Sequence, residues 1–262
     1  MRVMTFNVRG SFHDDGDNDW DKREAFNIAT IKKWNPDIIG FQEAQEGNLS
    51  SYENELTDYT FELGLLSIRD AENCHRVPIF WKSERFTKVD AGGYYLGDDS
   101  TAFEAGWDAT YPRAVTWVVL CENDTETDFV VINTHFPHAR DVDATRRKCA
   151  ELIIEHLRGS FSNLPQLVMA DFNALPKSPA YQAFMDAGYI DSYHASPYNS
   201  DLSTFHGFQG ENFEHDGLRI DWILGYDSEG RISITDCRVI MDAEPPIYPS
   251  DHYPILIEME IE

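Results

Sequence analysis

The chain repeats one pattern: a short apolar run stops on a polar side chain suited to chemistry. Arg2–Val8 alternates like a strand and reaches Asn7; Asp37–Gln42 is a compact apolar run leading into Glu43. Asp128–Thr134 leads into His135, and Gln166–Ala170 into Asp171-Phe172-Asn173. Asp221 interrupts the otherwise apolar Ile220-Asp221-Trp222-Ile223-Leu224, and Ser250-Asp251-His252 precedes the last apolar run. Runs of this length read as strands. Strand ends on one edge of a sheet converge in space, so the fold must bring these polar ends together.

Other segments fill in the architecture. Tyr59–Leu65, Val77–Lys82, Phe86–Tyr95, Ala114–Cys121, Arg219–Leu224, Ile232–Met241 and Tyr253–Ile261 also read as strands. Trp20–Trp34, closed by Pro36, Glu46–Leu56 and Pro179–Ala187 read as helices. In Ala144–Leu157 the residues Cys149, Leu152, Ile153, His156 and Leu157 recur at helical offsets, giving one apolar face. Ser192–Gly217 reads as a long polar loop. Many strands in antiparallel runs, with helices between them, predict an α+β layered sandwich. No repeat or low-complexity linker divides the chain, so residues 1–262 are expected to form a single domain.

Composition narrows the partners. At 42% hydrophobic and 13% aromatic, the chain has the material for a full core, which excludes a disordered protein. The 21 Lys+Arg against 46 Asp+Glu leave a net charge of −25, which repels phosphate backbones and anionic membranes. The acids are spread along the chain and only 7 Lys stand against 14 Arg; such a surface is expected of a halophilic protein, since salt screens self-repulsion. Cys74, Cys121, Cys149 and Cys237 are scattered, with no C-x-x-C pair, which excludes a zinc knuckle or a dense disulfide framework. No run approaches a membrane span and the first residues carry no apolar signal region, so a cytoplasmic protein without an obligate protein partner is expected.

Carboxylates and amides suit Mg²⁺ or Mn²⁺, whereas zinc prefers more His and Cys. A convergent set of Asn, Glu, Asp and His therefore fits metal-assisted hydrolysis of a phosphate ester: a carboxylate takes a proton from water, and His and Asn donate to the developing charge. Taken singly, a carboxylate at a strand end is more often a turn or cap, and Asp171-Phe172-Asn173 before Pro176 can be an Asx turn. Asp221 resists that account, because a carboxylate inside an apolar strand needs a partner.

Thr5-Phe6-Asn7, Phe41-Gln42-Glu43, Asn133-Thr134-His135, Asp171-Phe172-Asn173, Arg219-Ile220-Asp221 and Ser250-Asp251-His252, in this order, resemble the motifs of the endonuclease/exonuclease/phosphatase superfamily. Tyr111-Pro112-Arg113 and Ser203-Thr204-Phe205-His206-Gly207-Phe208 look closest to a branch of small prokaryotic metal-dependent hydrolases. The resemblance implies a deoxyribonuclease I-like four-layer sandwich, two mixed β-sheets flanked by helices. It implies Glu43 as the main Mg²⁺ (or Mn²⁺) ligand, with Asn7 beside it and Asp251 near the metal. It further implies Asp171 as the group that orients or deprotonates water and Asn173 as its support and a phosphoryl contact. His252 would be kept cationic by Asp221, and His135 would donate to the phosphate. The expected substrate is a phosphate ester (a small molecule, a lipid head group or a nucleic acid), with a diester favoured over a nuclease or monoester role. Loss of Glu43, Asp171 or His252 would favour a binding domain, and all three are present.

Departures and further candidates remain. Ala170 stands where the family usually has Gly, with little expected effect. Some relatives carry an acid before the Val77–Trp81 strand to support the phosphate-facing His; Cys74-His75-Arg76 stands there, so His75 or Arg76 is expected to face substrate. Arg113 is either a phosphate clamp or a surface ion pair, and His138, three after His135, is expected to line the site. Trp107, Tyr111, Phe205, His206 and Phe208 either stack on substrate or anchor their loops. Arg146-Arg147-Lys148 reads as a solvated helix face. His13–Asp19 fails the EF-hand template, with Trp20 and Phe26 where Gly and Glu belong, and reads as a loop at the site's rim. Specificity is expected in the loops Asp98–Tyr111 and Tyr193–Gly217.

Overall fold

The computed structural model describes residues 1–67, 74–195, 203–214 and 218–262. Its strands are β1 (Arg2–Asn7), β2 (Ile38–Gln42), β3 (Tyr59–Glu62), β4 (Ile79–Lys82), β5 (Phe86–Tyr95), β6 (Ala114–Glu122), β7 (Thr127–His135), β8 (Gln166–Asp171), β9 (Ile190–Asp191), β10 (Asp221–Tyr226), β11 (Ile232–Val239) and β12 (Ile255–Ile261). The α-helices are α1 (Trp20–Trp34), α2 (Glu46–Glu55), α3 (Asp143–Ser160), α4 (Pro179–Asp186) and α5 (Ser192–Ala195). One six-stranded sheet has the order β11-β12-β1-β2-β4-β3, the other β5-β6-β7-β8-β10-β9. Each is mixed: β1 with β2 and β7 with β8 run parallel, and the other pairs are antiparallel.

Three apolar layers hold the four structural layers together. Val3, Ile38, Ile79, Val118, Val131, Leu167, Met169 and Ile257 fill the space between the sheets. Phe6, Ile31, Ile39, Phe41 and Tyr52 join α1 and α2 to the first sheet. Ile132, Ile153, Leu157, Phe184 and Trp222 join α3 and α4 to the second. Strands covered on both faces lose the polar/apolar alternation, which is why β2 and β8 are buried at every position and polar only at their ends, Gln42 in β2 and Gln166 and Asp171 in β8. In α3 the buried residues Cys149, Ala150, Ile153, Ile154 and Leu157 follow the helical period, with Leu152 and His156 half-buried at its margin. Helix α4 starts at Ser178, whose side chain accepts from Tyr181 N, with Pro179 in its first turn.

The sheets approach most closely beneath the site. A Cβ at Gly40 would meet Met169 Cε at 2.7 Å and Asn133 Cγ at 2.9 Å, so only glycine fits β2 against β7 and β8. Gln42 Nε2 donates to Asn133 Oδ1 (2.7 Å), and Asn133 Nδ2 donates to the carbonyls of Phe41 and Pro78. This buried amide pair ties the two sheets one residue short of Glu43 and two short of His135.

The sandwich matches the expected class. Strand β10 begins at Asp221, two residues later than the sequence pattern predicts. Thr204 Oγ1 captures the backbone N–H groups of Ile220 and Asp221, and Arg219 turns away to pair with buried Asp191 at 2.7 Å. The two-residue β9 is too short to leave a periodic signal. Among the described residues of the expected loop Ser192–Gly217 are α5 and a 3₁₀ turn, Gly210–Asn212; residues 196–202 and 215–217 lie outside the described residues. No helix among the described residues is long and apolar enough to cross a membrane.

Candidate active site

Ladder register assembles the centre. His135 lies opposite Asp171 in the parallel β7–β8 ladder, and Asp221 lies opposite Asp171 in the antiparallel β8–β10 ladder. Asn7 and Gln42 are register partners at the ends of β1 and β2, facing this row across the sandwich. Glu43 (φ +59°) and Asn173 (φ +47°) follow their strands in the left-handed region. That conformation is uncommon for a side chain as large as Glu, and strained backbone of this kind gathers at functional sites.

The contacts are dense. Asn7 Nδ2 donates to Glu43 Oε1 and to Asp171 Oδ2, both at 3.0 Å. Asp171 Oδ1 accepts from the backbone N–H of Asn173 at 2.9 Å, the expected Asx turn. The Asn173 amide lies 2.9 Å from His135 Nε2, which itself is 3.4 Å from Asp171 Oδ2. His252 Nδ1 is 2.9 Å from Asp221 Oδ2, and its Nε2 faces Asp171 Oδ2 at 3.8 Å. The Phe205 ring meets His252 edge-on with centroids 5.0 Å apart.

Electrostatics separates the roles. Burial and the facing carboxylate of Asp221 push Asp171 up to about 7. Burial disfavours the His252 imidazolium, but the carboxylates of Asp221, Asp171 and Asp251 outweigh it and push the group up to about 10. Burial and the Arg113 guanidinium hold His135 well below its ordinary value, so it is neutral. Burial also opposes the charge on Glu43, yet the Asn7 hydrogen bond and the His252 imidazolium hold its carboxyl below the usual carboxylate range.

The donor set fits a hard divalent cation. Glu43, His135 and Asp171 each offer a ligand atom, all within 4.8 Å of one another. The Asn7 amide donates to both carboxylates of this trio. Asp251 stands beside this trio: its Oδ2 is 4.0 Å from Arg9 Nε, and its Oδ1 is 3.3 Å from Ser250 Oγ.

A polar framework holds the loops in place. Arg23 of α1 is fully buried and donates only to backbone carbonyls, those of Asn18, Val8, Pro249 and Arg9. Ser250 Oγ donates to Asn7 O at 2.7 Å, fastening the Asp251–His252 segment to the end of β1.

Residues 4–252 match the Endonuclease/Exonuclease/phosphatase family. The chain belongs to that family. A solved endonuclease/exonuclease/phosphatase structure from Bacteroides vulgatus is 26% identical, covers 100% of this chain and 98% of its own, and superposes with a TM-score of 0.89. A mannosyl-6-phosphatase from Bacteroides thetaiotaomicron is also 26% identical, with 99% coverage of each chain and a TM-score of 0.86. A probable RNA exonuclease of Saccharomyces cerevisiae, NGL3, is 22% identical over 202 residues. That match takes in 70% of this chain but only 39% of the yeast protein's length.

Within this family fold, the centre opens into a cleft of about 1330 Å³ lined by Glu43, His75, Arg113, His135, His138, Asp171, Asn173, Asp251 and His252, among others. Arg113 is 3% exposed; its Nη2 meets His138 Nδ1 at 3.1 Å, and its Nη1 has no partner among the described residues. It is therefore not a surface ion pair. Tyr111 stacks on His138, with centroids 6.0 Å apart.

Two sequence expectations need correction. His206 does not line the cleft: it is buried, stacks on Tyr253 at 3.9 Å, and accepts from Gly210 N through Nδ1. Neighbouring Phe205 reaches the site instead, since the loop presents alternate residues to opposite sides. Arg146 is not on a solvated face. It is buried and donates to the carbonyls of Pro137 and Ala139, bracketing His138, while Arg147 stays exposed beside Glu151.

The sequence pattern assigned no chemistry to Arg9, His13 or Arg140, which also line the cleft. His13 Nε2 lies 3.8 Å from Glu43 Oε2. The only available hint was one imidazole in an otherwise acidic loop. Trp107 anchors its own loop through Asp98 and stacks against Lys148.

Proposed function

We propose that this protein is a Mg²⁺- or Mn²⁺-dependent phosphoesterase that hydrolyses a phosphate ester by in-line attack of water. One observation carries the reading. Asp171, with a proton affinity matched to neutral pH, sits between Asn7, Asn173 and a His252–Asp221 pair and within ligand distance of Glu43.

Asp171 accepts the proton of the attacking water, held for that task by the Asn173 backbone N–H and the Asn7 amide. His252, charged through Asp221, donates to the phosphoryl oxygen on which charge develops. Neutral His135 and the Asn173 amide form the adjoining wall and orient the phosphoryl group. Arg113 binds a substrate anion from the cleft side. A divalent cation held by Glu43, with Asn7 and Asp251 beside it, supplies charge neutralisation at a phosphoryl oxygen when bound.

Diester hydrolysis is the first reading. Nuclease activity is disfavoured at low salt by the net charge of −25. A monoester reading is favoured by the buried Arg113, whose spare N–H groups suit a dianionic terminal phosphate, and by the likeness to a mannosyl-6-phosphatase. The experiment is hydrolysis of bis-p-nitrophenyl phosphate against p-nitrophenyl phosphate in KCl, with and without Mg²⁺ or Mn²⁺. Metal-dependent turnover lost in Asp171→Asn supports the proposal, and the preferred reporter separates diester from monoester. Undiminished turnover in the variant overturns the role of Asp171.

A further inference from the structure

The oxygen-rich centre uses one side of Glu43. Its other carboxylate oxygen faces a different chemistry. His13, Glu43 and His75 each present a ligand atom, all within 4.8 Å of one another, on the wall of the same cleft. The two imidazoles meet edge to face, with centroids 6.0 Å apart. His75 is 6% exposed, and its Nδ1 has no hydrogen-bond partner among the described residues; nor does the buried Nε2 of His13.

Two buried imidazole nitrogens without a partner, on residues whose ligand atoms cluster with a Glu43 oxygen, are costly unless something satisfies them. A divalent cation accepts a lone pair from each imidazole and from the carboxylate at once. We propose that His13, Glu43 and His75 form a second metal site, for a nitrogen-preferring divalent ion of the Zn²⁺ class, adjoining the Mg²⁺/Mn²⁺ position. Two imidazoles and a carboxylate make a ligand set typical of zinc, and they leave a coordination position open to the cleft. Tetrahedral ligation at ordinary Zn–N and Zn–O lengths needs ligand atoms about 3.3 Å apart. His13 closes that gap, since its half-exposed loop leaves its side chain room to move. Glu43 is common to both trios of candidate ligands.

The proposal shares Glu43 with the phosphoesterase reading but does not depend on turnover. Co²⁺ serves as the probe, added to metal-free protein in saturating Mg²⁺ and followed by its visible spectrum and by calorimetric stoichiometry. The expected result is one equivalent of Co²⁺ with the intense bands of low-coordinate nitrogen ligation, displaced by Zn²⁺ and not by Mg²⁺. His75→Gln and His13→Gln should each weaken Zn²⁺ binding at least tenfold, with unchanged circular dichroism. Asp171→Asn should keep the Co²⁺ spectrum while losing hydrolysis, so failure of one reading is distinguishable from failure of the other. Equal Zn²⁺ affinity in wild type and both histidine variants, or a purely octahedral Co²⁺ spectrum, overturns the second site.

Discussion

Asp221 and Asp171 occupy directly opposite positions on adjacent antiparallel strands, and His252 spans them, 2.9 Å from the first and 3.8 Å from the second. The pairing is unequal. Asp221 holds the imidazolium closely, while Asp171 is left with the raised proton affinity of a general base.

Replacing Asp171 with Asn should therefore separate stability from activity. Hydrolysis is expected to fall by roughly 100- to 10,000-fold, the usual worth of a positioned base. The melting temperature should hold or rise, because a buried carboxylate facing another carboxylate opposes folding. Steady-state kinetics and thermal melts read the two effects.

The same pair predicts a pH profile. Turnover should rise as Asp171 loses its proton near pH 7 and fall as His252 loses its own near pH 10. Stability carries a separate signature. The folded pKa of His252 lies above its ordinary 6.5, so its contribution is complete below about that pH and fades as pH rises through about 10. Melts from pH 6 to 10 should show this loss in wild type, and Asp221→Asn should flatten it.

Arg23 predicts a structural dependence remote from the chemistry. Arg23→Lys keeps the charge but not the fork, leaving carbonyls of Val8, Arg9, Asn18 or Pro249 without donors. Urea unfolding should show a loss on the order of 3 kcal/mol. Activity should fall at temperatures where the variant is still folded, since those carbonyls belong to the loops beside Asn7 and Asp251.

Arg113→Met removes a buried guanidinium whose only hydrogen-bond partner among the described residues is His138. KM should rise about 10- to 100-fold, while the melting temperature increases as an under-compensated buried charge is lost. A KM unchanged across diester and monoester reporters would show that Arg113 does not meet substrate.

Much of this was legible in the residues. The apolar runs ending in Asn7, Glu43, His135 and Asp171 became strand ends on one rim because a strand's local pattern reports its burial directly. The α3 helix and the layered class followed from periodicity in the same way. The functions of His206 and Arg146 did not. Whether a loop imidazole points to a cleft or stacks on Tyr253, and whether a helix-borne arginine meets water or the Pro137 carbonyl, depends on neighbours distant in sequence. His13 likewise reaches Glu43, thirty residues away, only through the fold.

The sequence by itself determined which groups are present and which strands end on them, since hydrophobic periodicity is a local property of the chain. Only the tertiary structure decided which carboxylate became a base, which imidazole became a cation and which histidines met across Glu43. Those outcomes follow from ladder register, burial and the approach of two sheets, which set distances and local fields that no single segment contains.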